Sequence, residues 1–69
     1  MKAGEVERRL RDHGCTLVRQ RGSHRLWRSS CGKCLTTVPA HAGEDIKPGT
    51  LRAIERSMEP CLGKGWLGR

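Results

Sequence analysis

The chain has 69 residues, of which 14 are Lys or Arg and 7 are Asp or Glu, giving a formal net charge of +7 at pH 7. A domain of this size buries only about 60% of the surface that its unfolded chain exposes, which predicts one thin core and excludes a deep substrate cavity. The excess of cations along the chain predicts a nucleic acid or an acidic protein as partner.

A first helix is predicted over residues 3–13. Ala3, Val6 and Leu10 lie on one stripe at helical spacing, and the charged residues fill the other face. Gly14 is a natural C-terminal stop for this helix.

Three strands are predicted next, over residues 15–21, 24–28 and 35–38. Alternation in the first strand places Cys15 and Leu17 on one face and Thr16, Val18 and Gln20 on the other. The turns between the strands are Gly22-Ser23 and Gly32-Lys33, and Pro39 ends the third strand.

A second helix is predicted to begin at Pro48 and to end at Pro60. Its apolar stripe is formed by Leu51, Ile54 and Met58. The glycine-rich segment 60–69 is predicted to be an irregular tail that docks through Trp66. The chain is therefore divided into a domain at residues 1–59 and a C-terminal tail at 60–69.

The element order of helix, three antiparallel strands and helix predicts an α+β fold. Two amphipathic helices cover one face of a three-stranded sheet, and the other face stays open to solvent. We expect the functional residues on this open face.

The cysteines and the N-terminal segment indicate in which cellular compartment the protein works. Four cysteines in a short chain are compatible with a disulfide framework, but residues 1–14 contain no apolar stretch like that of a signal peptide. No segment is apolar for long enough to span a membrane. These features predict a cytoplasmic protein without a membrane partner, whose thiols stay reduced.

Cys31-Gly-Lys-Cys34 has the spacing of half a zinc site. Zinc needs four ligands, and Cys15, Cys61 and His41 lack the spacing that would support a second half. We therefore predict plain hairpin thiols, no metal ligand and no cofactor. A small zinc-binding interaction protein and a regulatory disulfide stay open as alternatives.

His24 is the candidate catalytic residue, and Arg21, Arg25 and Arg28 lie close to it in sequence. Histidine can both accept and donate a proton near neutral pH. RNA carries its own nucleophile, the 2′-hydroxyl, so its cleavage requires a base, an acid and cations on the phosphate. The residues alone also leave a purely structural role for His24 open.

Several motifs in this order resemble the HicA toxin family. They are CTLVRQRGSH at 15–24, the strand with Trp27, TTVPAH at 36–41 and DIKPGTLRAI at 45–54. The resemblance covers about residues 3–58, nearly the whole domain. The Cys31–Cys34 hairpin and the tail after Pro60 depart from the family pattern.

The resemblance implies a fold like that of a double-stranded-RNA-binding domain. It implies a toxin that cleaves mRNA without the ribosome and without metal, an mRNA interferase. It also implies that His24 is catalytic and that His41 matches a second histidine of the family. The implied partner is a HicB-type antitoxin, for which the positive charge of this chain predicts an acidic surface.

The candidates for RNA binding are Ser23, Arg21, Arg25, Arg28, Lys33 and His41. Ser23 either donates a hydrogen bond to phosphate or only shapes the turn. If His24 faces solvent, alternation turns Trp27 toward the helices and leaves Leu26 as an exposed contact for the antitoxin. The alternative function is a non-catalytic RNA-binding module of the same fold, which needs cations but no histidine.

Overall fold

The computed structural model describes residues 1–68 and confirms the predicted order of elements. The elements are α1 (Ala3–Asp12), β1 (Thr16–Arg21), β2 (His24–Arg28), β3 (Leu35–Pro39) and α2 (Pro48–Leu62). The strands form one antiparallel sheet in the order β1-β2-β3. This is the α-β-β-β-α arrangement expected of a fold like that of double-stranded-RNA-binding domains.

The core lies between the sheet and the two helices. The apolar stripes of both helices are buried, as their spacing predicts. From the sheet, Trp27 and Val38 point into this core, and from the end of the chain Trp66 and Leu67 do so as well. None of the helices in residues 1–68 is long and apolar enough to cross a membrane.

Helix α2 continues through Pro60 to Leu62, so the prediction that Pro60 ends it is wrong. A proline inside a helix loses one backbone hydrogen bond, but here only the final turn is affected. The helical hydrogen-bond pattern continues past the proline, because the Gly63 N–H donates to the Glu59 carbonyl at 2.8 Å, and one turn earlier Trp66 Nε1 donates to the Glu55 carbonyl at 2.8 Å.

The segment after α2 packs onto the domain. Trp66 and Leu67 are buried, which confirms the predicted docking through Trp66. The ring of Trp66 meets the ring of His13 edge-on, with centroids 5.9 Å apart. The tail therefore adds to the core, which a chain of this length can make only small.

Strand β1 contains an irregularity that its sequence pattern did not reveal. The register with β2 shifts between Leu17 and Arg19, so Val18 has no direct partner. The shift places Arg19 opposite Leu26, on the open face. The simple alternation predicted for β1 is therefore wrong beyond Leu17, because an extra residue in one strand reverses the faces of the residues after it.

The prediction that all the cysteines are reduced thiols is wrong for two of them. Cys31 in the β2–β3 hairpin forms a disulfide with Cys61 in the last turn of α2, whereas Cys15 and Cys34 are free and buried. The fold brings together two residues 30 positions apart, a proximity that sequence spacing does not show.

Candidate nucleic-acid interface

The turn between β1 and β2 fixes the position of His24. Arg21 pairs with His24 across the hairpin, which leaves Gly22 and Ser23 as a two-residue loop. Gly22 has φ +55°, the positive value that a type II′ turn requires at its first central position. The carbonyl of Ser23 accepts a hydrogen bond from the Ala40 N–H at 2.6 Å, which joins this turn to the end of β3.

The alternation predicted along β2 is confirmed. His24 is exposed, whereas Trp27 is only 2% exposed and lies on the helix side of the sheet. Leu26 is half-buried rather than exposed, because it lies between its strand partners Arg19 and Thr37. His24 therefore points to the open face, as required of a residue that meets a macromolecular substrate.

A shallow cavity of about 200 Å³ surrounds His24. It is lined by Arg19, Arg21, His24, Leu26 and Thr37, and we call it the His24 cavity. Arg21 is the cross-strand partner of His24, and Arg19 is the partner of Leu26. Two guanidinium groups and an imidazole thus share one solvent-open depression, a combination suited to a phosphate group.

Arg19 is a site residue that the sequence pattern did not indicate. The irregularity at Val18 moves this residue onto the face of His24, and no local signal marks such an insertion. The spacing from Arg21 was the available clue, because residues two apart in a strand share a face.

The open face carries positive charge without local compensation. None of the three strands in residues 1–68 contains an Asp or Glu residue. Arg19, Arg21 and Arg28 are all exposed on it. A sheet face that carries only positive charge attracts polyanions and raises their rate of association.

Arg25 is not part of this face. It lies on the helix side of β2, where its Nε donates to Glu7 Oε2 and its Nη1 donates to Gln20 Oε1 at 2.7 Å. Because Glu7 neutralises its charge and the side chain is partly buried, Arg25 is not available to the same phosphate as Arg21.

Arg28 and Lys33 lie toward the other end of the sheet. Arg28 shares the open face with His24, but β2 rises about 3.3 Å per residue, so their Cα atoms are about 13 Å apart. Lys33 is exposed in the hairpin that connects β2 to β3. These two cations can contact a different part of a long RNA from the part that meets His24.

His41 is exposed just beyond β3 and does not line the His24 cavity. It borders a separate cavity of about 300 Å³ that also includes Glu44 and Asp45. Pro39, two residues before His41, is the strand partner of His24, so the two histidines lie on neighbouring segments. The structure does not bring them into one site.

Three sulfur atoms form the cluster best suited to a metal ion in residues 1–68. The Sγ atoms of Cys31, Cys34 and Cys61 lie within 4.8 Å of one another. Cys15 lies outside this group. Burial raises the pKa of the Cys15 thiol, a hydrogen bond from the Ser30 backbone opposes the rise, and the charge of Cys34 adds to it.

The chain matches a protein-family model. The family model described as the HicA toxin of bacterial toxin–antitoxin systems matches residues 3–59. A search of curated proteins found no match, and a search of solved structures found none either.

Proposed function

Because the chain belongs to the HicA family of toxins, which implies an antitoxin partner, we propose that it is an mRNA endoribonuclease whose catalytic residue is His24. The enzyme acts on mRNA independently of the ribosome and uses no metal ion in the chemical step. Its cleavage arrests translation until the antitoxin covers the open face.

The observation that carries this proposal is the His24 cavity. An exposed imidazole shares a shallow depression with Arg19 and Arg21, on a sheet face free of carboxylates. The depression is open enough for a polynucleotide, as expected of a chain too small to enclose a deep pocket. The site therefore suits a long polyanion that lies across the sheet.

The proposed reaction is transfer of the phosphate to the RNA's own 2′-hydroxyl. A base removes the 2′-hydroxyl proton, the oxygen attacks the adjacent phosphorus, and an acid gives a proton to the departing 5′-oxygen. His24 serves as the base or the acid. The products are a 2′,3′-cyclic phosphate and a 5′-hydroxyl end.

Arginines beside the reacting phosphate stabilise the charge that develops on it. Arg19 and Arg21 occupy this place in the His24 cavity. Arg28 and Lys33 extend the positive surface along the sheet, and Ser23 and His41 flank its near end. Arg25, held by Glu7 on the helix side, keeps a structural role in this proposal.

A second candidate is a non-catalytic RNA-binding module. The arginines of the open face favour it equally well, because shape-based binding of RNA needs cations but no histidine. The two candidates differ in what happens to the RNA: the module leaves the bound strand intact.

The antitoxin is proposed to be a HicB-type protein with an acidic surface. The open face offers it positive charge, with Leu35 49% exposed at its border and Leu26 half-buried at its centre. Attraction between opposite charges accelerates association and weakens as salt rises. The rate of association should therefore fall with ionic strength, and a rate independent of salt would contradict this account of the interface.

The test of cleavage uses a pair of matched RNA oligonucleotides in a buffer with a chelator. One is all-ribose, and the other has a single 2′-deoxy sugar at the cleavage site mapped on the first. The enzyme should cut the first to a 2′,3′-cyclic phosphate and leave the second intact at that position. Equal cleavage of both would rule out the 2′-hydroxyl as nucleophile, and binding without cleavage would favour the RNA-binding module.

A further inference from the structure

A third cysteine, Cys34, lies next to the disulfide and takes no part in it. Cys31 and Cys61 are bonded, and the free thiol of Cys34 lies within 4.8 Å of both sulfur atoms. Cys34 is buried, Cys61 is half-buried and Cys31 is exposed. The three residues, which we call the cysteine cluster, come from the β2–β3 hairpin and from the last turn of α2.

The hairpin holds its two cysteines in a fixed loop. The Ser29 N–H donates to the Cys34 carbonyl at 2.9 Å, and the Gly32 N–H donates to the Ser29 carbonyl at 2.9 Å. Gly32 adopts φ +76°, which side chains rarely tolerate. Both cysteines of the C-x₂-C sequence therefore point to the same side, toward Cys61.

Ser29 gives the cluster a polar neighbour. Its side chain is buried, its Oγ accepts a hydrogen bond from the Cys34 N–H at 3.1 Å, and the same Oγ lies 3.2 Å from Cys31 Sγ. Hydrogen bonds of this kind orient metal ligands and stabilise their charge.

The donor set selects for a soft metal ion. A C-x₂-C hairpin is the usual half of a zinc site, and zinc binds thiolates at about 2.3 Å, which places tetrahedral sulfurs about 3.8 Å apart. In the disulfide form the Sγ atoms of Cys31 and Cys61 are bonded, so reduction must let these two atoms move apart to reach that value, whereas Cys34 Sγ already lies within 4.8 Å of both. Ions such as Mg²⁺ and Ca²⁺ prefer oxygen ligands, and the cluster offers none from a carboxylate.

We propose that Cys31, Cys34 and Cys61 bind one Zn²⁺ ion in the reduced protein, and that the Cys31–Cys61 disulfide is the oxidised, metal-free form of the same site. Three protein ligands leave the fourth tetrahedral position to water. The ion joins the β2–β3 hairpin to the end of α2, the link that the disulfide makes in the oxidised form.

A dithiol can serve as the reductant that converts the disulfide form of the site into the zinc form. The dithiol gives two electrons and two protons to the Cys31–Cys61 bond and becomes a disulfide itself. Zn²⁺ then displaces one proton from each of the three thiols as the metal–sulfur bonds form. The Cys34 thiolate can also attack the neighbouring disulfide, which forms a bond from Cys34 to one of its two sulfurs and releases the other as a thiolate, and the dithiol then reduces the new disulfide.

The site lies away from the proposed chemistry. The hairpin begins after Arg28, whose Cα is about 13 Å along β2 from that of His24. We expect the reduced state because a toxin that acts on mRNA works in the cytosol, where thiols are kept reduced. This expectation rests on the proposed function. The binding of zinc itself is independent of whether the protein cleaves RNA.

The experiment titrates the reduced, full-length chain with Co²⁺, and Zn²⁺ then displaces the cobalt. Cobalt bound to thiolates gives sulfur-to-metal charge-transfer absorption and visible bands of tetrahedral geometry. We expect one ion per chain, loss of these bands in Cys31→Ser and Cys34→Ser, and their retention in Cys15→Ser. Cys15 is the matched control because it is a free, buried thiol outside the cluster.

Thermal unfolding supplies a second readout that needs no spectroscopic probe. The Tm of the reduced protein should rise with the logarithm of zinc concentration, and the Tm of the oxidised protein should not. Cys31 is exposed, so Cys31→Ser leaves the core intact and separates loss of metal from loss of fold. Absence of thiolate bands in the reduced wild type, or equal binding by Cys31→Ser, would overturn the site.

Discussion

Trp27 Nε1 donates a hydrogen bond to Glu7 Oε2 at 2.8 Å, which ties α1 to the helix side of β2. Arg25 Nε donates to the same oxygen, so one buried carboxylate satisfies two neighbours on the strand. Because side chains alternate along a strand, fixing Arg25 and Trp27 on the helix side leaves His24 on the open face.

Removal of this carboxylate should destabilise the fold. In Glu7→Ala, the buried Trp27 N–H and the partly buried Arg25 lose their acceptor, and we expect a loss of about 2–4 kcal/mol in the free energy of unfolding. Urea denaturation monitored by circular dichroism measures it. Arg8→Ala, at an exposed position on the same helix, should change stability by less than about 0.5 kcal/mol. Similar values for both variants would show that Glu7 has no special role.

The open face should dominate the salt dependence of RNA binding. Each phosphate contact contributes about 0.7 to the slope of log K against log salt for single strands. Arg19→Ala and Arg21→Ala should each reduce that slope by about this amount. Arg52→Ala, the same change of charge at an exposed position of α2, should leave the slope nearly unchanged. Fluorescence anisotropy with a labelled RNA over a series of salt concentrations measures the slopes, and equal effects at all three positions would mean that binding has no preferred face.

The tail should be necessary for stability. Leu67 is fully buried, and truncation of a buried leucine to alanine costs about 2–5 kcal/mol. Leu67→Ala should therefore leave a chain of this size close to unfolding at room temperature. Leu35→Ala, at a position 49% exposed, is the control and should cost much less. If Leu67→Ala melts at the same temperature as Leu35→Ala, the docking of the tail contributes little.

The disulfide should stabilise the metal-free protein. Closing a loop of about 30 residues lowers the entropy of the unfolded chain by an amount worth about 3–4 kcal/mol. Urea unfolding in the presence of a chelator, with and without a thiol reductant, should show this difference. Cys31→Ser should be insensitive to the reductant. No effect of the reductant on the wild type would mean that the bond does not restrain the unfolded chain.

The periodic parts of the fold could be predicted from the sequence, and the long-range contacts could not. The stripe of Val6 and Leu10 and the alternation of His24 and Trp27 are local patterns that arise directly from helix and strand geometry. The meeting of Cys61 with Cys34 depends on how α2 lies against the hairpin, which no spacing encodes.

In the candidate site, too, local patterns could be predicted from the sequence and the rest could not. Local residue types predicted the Gly22-Ser23 turn and placed His24 and Trp27 on opposite faces of the sheet, and the family resemblance supplied the expectation that His24 is the exposed one. They did not predict the place of Arg19, because one extra residue at Val18 reverses the faces of the later residues in β1. The prediction that Pro60 ends α2 was wrong because the helical bond from the Gly63 N–H to the Glu59 carbonyl continues past the proline, and Trp66, packed against α2, donates to the Glu55 carbonyl one turn earlier.

The most direct test compares RNA cleavage by the wild type and by His24→Ala, with a structured mRNA fragment as substrate and a chelator in the buffer. Circular dichroism and thermal melting establish that both proteins are folded, as expected for a change at an exposed residue. The account predicts cleavage by the wild type and a rate at least about 100-fold lower for the variant, with RNA affinity nearly retained. Equal rates for the two proteins, or tight binding without cleavage by the wild type, would contradict it.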